Sequence, residues 1–159
     1  CLAVLFFMAS GYAQEVASTY YLIRHAEKDR SDKTNNNPEL TKIGLDRAIK
    51  WSQVFKNISF DAVYSTNYNR TIQTATPTAK SQGLDIQFYD PSKMYSEDFK
   101  KATEGKTVLI VGHSNTTPQF VNKILGKDKY DDIDDSNNSN LYIVTCNNEL
   151  KDVQVLYIE

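Results

Sequence analysis

The chain has 159 residues, which suits one domain around a single core and is too short for two. Forty per cent apolar and 24% charged residues is the balance of an ordinary globular protein. A formal net charge of −2 excludes the strong basic excess of a general nucleic-acid binder, while leaving room for a local basic pocket.

The first feature in chain order is an uninterrupted apolar run over residues 2–9, followed by the small-x-small sequence Gly11-Tyr12-Ala13. This is the pattern of a secretory leader, and it falls well short of the roughly 20 residues that span a bilayer. The expectation is a signal peptide over residues 1–13 and a single domain over 14–159, exported to the periplasm or secreted, with no membrane contact beyond the cleaved leader. Loss of Cys1 would leave Cys146 without an internal disulfide partner, so the fold must rest on its apolar core. Two histidines and one cysteine fit no zinc spacing, so neither a metal nor a cofactor is expected.

Residues 19–23 (TYYLI) read as a strand, and the polar stretch 28–39 with Asn35-Asn36-Asn37-Pro38 as a loop. Thr41 then caps a helix expected to bury Leu45, Ala48, Ile49, Ser52 and Phe55 on one face. A second strand covers 61–65. A second helix covers 68–82, stopped by Gly83 and kinked at Pro77. A third strand over 85–88, a short helix near 97–103 and a fourth strand over 107–111 follow. Thr117 is the expected N-cap of a last helix, with Pro118 at its first position and Gly126 closing it. Residues 127–140 are polar, and their acidic part, 128–135, lacks the spacing of a calcium loop and reads as solvated. Strands over 141–145 and 153–157 end the chain as an antiparallel hairpin. Alternating strands and helices imply an α/β fold: a three-layer α/β/α sandwich with a mainly parallel sheet and that C-terminal hairpin.

Both histidines directly follow apolar strands: Arg24-His25 after the first and, through Gly112, His113 after the fourth. Parallel strands would bring both imidazoles to the carboxyl edge of the sheet, where open α/β sheets bind ligands. Arg70 lies in the first turn of the helix after Tyr64-Ser65. Arg24, His25, Arg70 and His113, with a helix amino terminus after Asn115, would then form a phosphate-dianion site. Ser114, Asn115 and Lys28 are the expected substrate contacts. Taken alone, Arg70 fits a solvated helix position equally well, and the two histidines fit unrelated structural roles.

Tyr21-Leu22-Ile23-Arg24-His25-Ala26-Glu27 resembles the Arg-His-Gly signature of the histidine phosphatase superfamily, the phosphoglycerate-mutase-like proteins. Leu40-Thr41-Lys42-Ile43-Gly44 resembles its Leu-Thr-x-x-Gly helix start, and the block from Tyr64 through Ser65, Arg70, Gln73 and Thr74 to Ala75 its Ser-x-x-x-Arg-x-x-Gln-Thr-Ala motif. Val111-Gly112-His113-Ser114 resembles the second histidine motif, and the four come in family order. The resemblance implies that His25 attacks phosphorus and forms a phosphohistidine that water hydrolyses. Arg24, Arg70 and a protonated His113 would hold the equatorial oxygens of a small phosphorylated substrate. Two departures stand out. Ala26 replaces the usual glycine, and the stretch after the third strand has no clear match to the family's general acid; Asp90 and Glu97 are the candidates. Without a strong acid, labile groups such as acyl phosphates or phosphohistidine would be favoured. A mature length of about 145 residues is closest to the small phosphohistidine-phosphatase-like branch. The alternatives are a catalytically weak phosphate-binding module and a phosphoglycerate-type mutase.

Overall fold

The computed structural model describes residues 16–147 and 150–159; the expected leader, residues 1–13, lies outside them. The order is β1 (Ser18–Arg24), α1 (Lys42–Val54), β2 (Ala62–Ser65), α2 (Asn69–Ser81), β3 (Ile86–Phe88), α3 (Glu97–Thr103), β4 (Thr107–Gly112), α4 (Thr116–Leu125), β5 (Asn140–Cys146) and β6 (Lys151–Tyr157). The six strands form one sheet ordered β3-β2-β4-β1-β5-β6. The first four strands run parallel to one another, and β5 lies antiparallel to both β1 and β6. Among the described residues no helix is long and apolar enough to cross a membrane.

Alternation along each strand supplies two cores, one on each face of the sheet. Tyr20 and Leu22 of β1 pack with Phe120, Val121 and Ile124 of α4 on one side. Ile23 packs with Trp51, Phe55, Ala75 and Ala79 from the α1 and α2 side on the other. This is the expected three-layer sandwich. Register then sets the height of the strand ends: Arg24 pairs with Gly112, and Ser65 with Val111, so three parallel strands end level with one another. Because β5 is antiparallel, with Ile23 opposite Leu141, its incoming loop arrives at that same edge.

Two local expectations need correction. In α1 the buried side is Gly44, Ala48 and Trp51, whereas Leu45 and Ile49 are 45% and 50% exposed. Ser52 turns its hydroxyl to the Ile49 carbonyl instead of into the core. Both stripes have helical period, and the larger aliphatic count favoured the wrong one; the Trp51–Phe55 stack and the close seat of Gly44 decide the rotation. In α4 the N-cap is Asn115 and Pro118 is the third helical residue. Its missing N–H costs nothing there either, since the first four amides of a helix have no partner inside it. The helix α2 spans Asn69–Ser81 with Pro77 inside it.

Gly44 is required by a close approach. A Cβ there would stand 2.3 Å from the Glu27 carbonyl oxygen, which itself accepts from the Thr41 amide at 2.8 Å. Gly44→Ala is expected to force α1 away from the loop after His25 and to cost about 1–3 kcal/mol, measured as a lowered midpoint of urea unfolding.

Candidate active site

His25 continues the β1 ladder, its amide bonding the Gly112 carbonyl at 2.9 Å. The side chain is 3% exposed, and Nδ1 lies 2.7 Å from the Ala26 carbonyl oxygen. A carbonyl only accepts, so Nδ1 carries the proton and Nε2 keeps its lone pair. Burial pushes the ring's pKa down to about 3; Arg24, His113 and Arg70 add to the drop, and the Ala26 bond opposes it. The imidazole is therefore neutral at physiological pH. Two bonds brace the turn beneath it: the Ala26 amide to Thr74 Oγ1 at 2.9 Å, and Asn138 Nδ2 to the His25 carbonyl at 2.8 Å.

The His113 ring lies 5.5 Å from that of His25, centroid to centroid. Gly112 before it lets β4 approach the first turn of α4, because a Cβ would sit 2.9 Å from both Thr116 Oγ1 and Thr117 Oγ1. His113 Nε2 is 2.9 Å from Thr66 Oγ1, which in turn neighbours Thr71 Oγ1 at 3.0 Å. A protonated His113 is expected with a phosphate dianion bound; the protein's own groups push the other way. Burial, followed by Arg70, Lys28 and Arg24, lowers its pKa to about 4, so the ring is neutral. The charged groups acting on it are cations, and a bound dianion would oppose their effect.

Arg24 is 2% exposed and held on four sides. Nη1 donates to the carbonyls of Asp134, Asp135 and Asn137 at 2.9, 3.1 and 2.9 Å, and Nη2 to Asp135 Oδ1 at 2.7 Å. The Nη1 end of its fork is thus committed to protein, and Nε is left buried and without a partner. Arg70 differs. Its Nε is also unpartnered, Nη1 makes one long contact of 3.5 Å with the Asn36 carbonyl, and the guanidinium carbon lies 4.5 Å over the Tyr68 ring.

These side chains share a cleft of about 340 Å³ with Lys28, Ser114 and Asn115. The structure brings together all four proposed catalytic residues and all three proposed substrate contacts. It does not bring the acid candidates there. Asp90 is exposed, and its carboxylate caps the turn at Pro91–Lys93, accepting from the Ser92 amide and hydroxyl at 2.8 and 2.7 Å. Glu97 pairs with Lys100 and faces another cavity, near Ser18 and Cys146 at the opposite edge of the sheet.

Asp135 is the cleft's only carboxylate among the described residues, and it comes from the acidic stretch whose composition suggests a solvated loop. It bonds Arg24 and, at 2.9 Å, Arg30; the two guanidiniums hold its carboxyl below the usual range. No composition signal marks it, since its position comes from the antiparallel entry of β5. Thr66 and Tyr68 lie inside the recognised Tyr64–Ala75 block, where the spacing drew attention to Arg70 alone.

Both rings are less basic when folded than unfolded, where histidine titrates near 6.5. As the pH falls below that value the unfolded chain binds protons first, so the stability these groups contribute is complete above it and declines toward the folded values near 4 and 3. Carboxylates titrate mainly below pH 5. The urea midpoint is expected to be clearly lower at pH 5 than at pH 7.5, and the difference to shrink in a His25→Ala/His113→Ala double variant.

The histidine phosphatase superfamily (branch 1) model matches residues 20–91. No curated protein shows significant sequence similarity to the chain. Among solved structures, the protein histidine phosphatase SixA complexed with tungstate aligns with TM-score 0.68 at 14% identity, over 87% of this chain and 96% of that one. Phosphoglycerate mutase from Bacillus anthracis aligns with TM-score 0.65 at 14% identity, over 89% and 93%. A variant of phosphoserine phosphatase from Entamoeba histolytica, bound to phosphoserine, aligns with TM-score 0.64 at 14% identity, over 86% and 94%. At these identities the similarity establishes a shared fold.

Proposed function

We propose that this chain, which has the fold of the histidine phosphatases and matches that superfamily's model over residues 20–91, is a phosphatase working through phospho-His25. One observation carries the reading. A buried, neutral imidazole, with its proton committed to the Ala26 carbonyl, stands in a cleft shared with Arg24, Arg70 and Lys28. Nε2 attacks phosphorus, the N–P bond forms, and the bond to the leaving oxygen or nitrogen breaks. The ring gains positive charge, which the Nδ1–H bond to Ala26 stabilises. The guanidiniums, His113 and the amino terminus of α4 hold the phosphoryl oxygens as charge shifts onto them. Water then attacks phosphorus from the opposite side, releasing phosphate and restoring the lone pair of Nε2.

Asp135, ion-paired to two arginines that hold its carboxyl below the usual range, is ionised and has no proton to donate. The cleft therefore favours leaving groups that depart with little protonation, such as acyl or aryl phosphates and phosphoramidates including phosphohistidine. The Asp135 side chain is 67% exposed at the rim, which admits water and supports hydrolysis over transfer to a second hydroxyl. By the same proposal, the apolar run at residues 2–9 makes this an exported enzyme, periplasmic or secreted.

The test is a quench of the full chain with ³²P-labelled acetyl phosphate and phosphoramidate. The expected result is protein-bound label that is acid-labile and alkali-stable, with ¹⁸O from water appearing in released phosphate. Turnover without label would exclude the covalent route, and label passing to an added alcohol would identify a mutase. Tungstate binding with no turnover on either substrate would leave a phosphate-binding module.

A further inference from the structure

Tyr68 has no part in the phosphoryl transfer itself, yet its ring touches two of the groups that perform it. It is the N-cap of α2, with extended backbone (φ −130°, ψ 145°), and its side chain lines the cleft, 39% exposed. The Arg70 guanidinium carbon lies 4.5 Å above the ring centroid, and the His113 ring meets the same ring edge to face, 5.3 Å between centroids at 89°. Nothing else holds Arg70 firmly. Its one hydrogen bond is 3.5 Å long, its Nε has no partner, and no carboxylate pairs with it among the described residues. Arg24, by contrast, is fixed by three carbonyls and Asp135.

The two arginines therefore face opposite physical problems. Asp135 orders Arg24 but cancels part of the charge that Arg24 offers a phosphate. An aromatic face attracts a guanidinium through its quadrupole and limits its rotamers without adding a formal charge. We propose that Tyr68 is a positioning residue, a neutral platform that orders Arg70 over the cleft, leaving the whole charge of Arg70 available to a tetrahedral oxyanion. The proposal rests on the phosphatase reading for the identity of that oxyanion, but the coupling it asserts can be read without turnover.

The backbone of Tyr68 is anchored independently of its ring, through its amide to the Thr66 carbonyl and its carbonyl to the amides of Thr71 and Ile72, so side-chain variants keep the start of α2. The experiment measures tungstate binding by calorimetry, and kcat and KM on p-nitrophenyl phosphate, for the full chain and its Tyr68→Phe, Tyr68→Leu and Tyr68→Met variants, each also combined with Arg70→Ala. Tyr68→Phe keeps the ring and is expected within twofold of the parent. Both ringless variants are expected to weaken tungstate binding and lower kcat/KM about 3- to 30-fold, the span between an exposed and a desolvated cation–π contact. In the Arg70→Ala background that loss is expected to shrink to less than twofold.

A loss of equal size with and without Arg70, or a Tyr68→Phe variant as damaged as Tyr68→Leu, overturns the proposal. So does a parent that binds no tungstate. A parent that binds tungstate with the coupling intact but hydrolyses nothing sinks the phosphatase reading and leaves the positioning role standing. Normal turnover without coupling does the reverse.

Discussion

Replacing His25 by alanine is expected to remove covalent phosphoryl transfer, lowering kcat about 10⁴-fold or more, the scale seen when a nucleophile is deleted. Arg24, Arg70 and the amino terminus of α4 do not depend on the imidazole for their positions: Arg24 is held by the loop before β5, and Arg70 lies over Tyr68. Tungstate should therefore bind the variant within a few-fold of the parent, which separates the loss of chemistry from the loss of the pocket. Single-turnover labelling reads the first and calorimetry the second. An alanine variant that still accumulates acid-labile phosphoprotein would mean that the nucleophile lies elsewhere, His113 being the first alternative.

Arg70→Ala is expected to lower kcat/KM about 10²- to 10³-fold, the typical effect of losing one preorganised donor to a developing oxyanion. The magnitude reflects its surroundings. No carboxylate shares Arg70 among the described residues, so its charge is not divided as that of Arg24 is with Asp135. Arg70→Lys should recover only part of the loss, because an ammonium offers a point charge where a planar fork can bridge two oxygens. Stability should change little, since burial already opposes the charge of Arg70 and its Nε lacks a partner. Arg24→Ala is the less informative variant, because it frees three carbonyls of the loop before β5 and confounds folding with catalysis. If Arg70→Ala cost less than fivefold, the phosphate could not sit against this side of the cleft.

How much of this was legible before folding is best judged residue by residue. His25 and His113 could be placed at one sheet edge because each ends a short, wholly apolar strand, and parallel pairing of two such strands leaves little freedom of register. Arg70 needed the Tyr64–Ala75 block as well, since one arginine in a first helical turn is ambiguous alone. The exposed positions Leu45 and Ile49 show where periodicity fails. Two stripes of the same helix had the right spacing, and only the approach of Gly44 to the Glu27 carbonyl, a contact outside the helix, selects between them.

The site divides along the same line. The chain's own pattern determined an alternating α/β architecture and the sheet edge that carries His25 and His113, because strand ends and helix starts are local consequences of apolar period and capping. Tertiary structure alone decided the rest. The direction of β5 brought Asp135 to Arg24, while a turn cap holds Asp90 and an ion pair with Lys100 holds Glu97 outside the cleft. Burial, with three cations packed nearby, holds the pKa of His113 down. The rotation at the start of α2 set Tyr68 beneath Arg70. Charge state and side-chain partnership depend on what arrives through space, and residues more than a hundred positions apart leave no periodic trace of meeting.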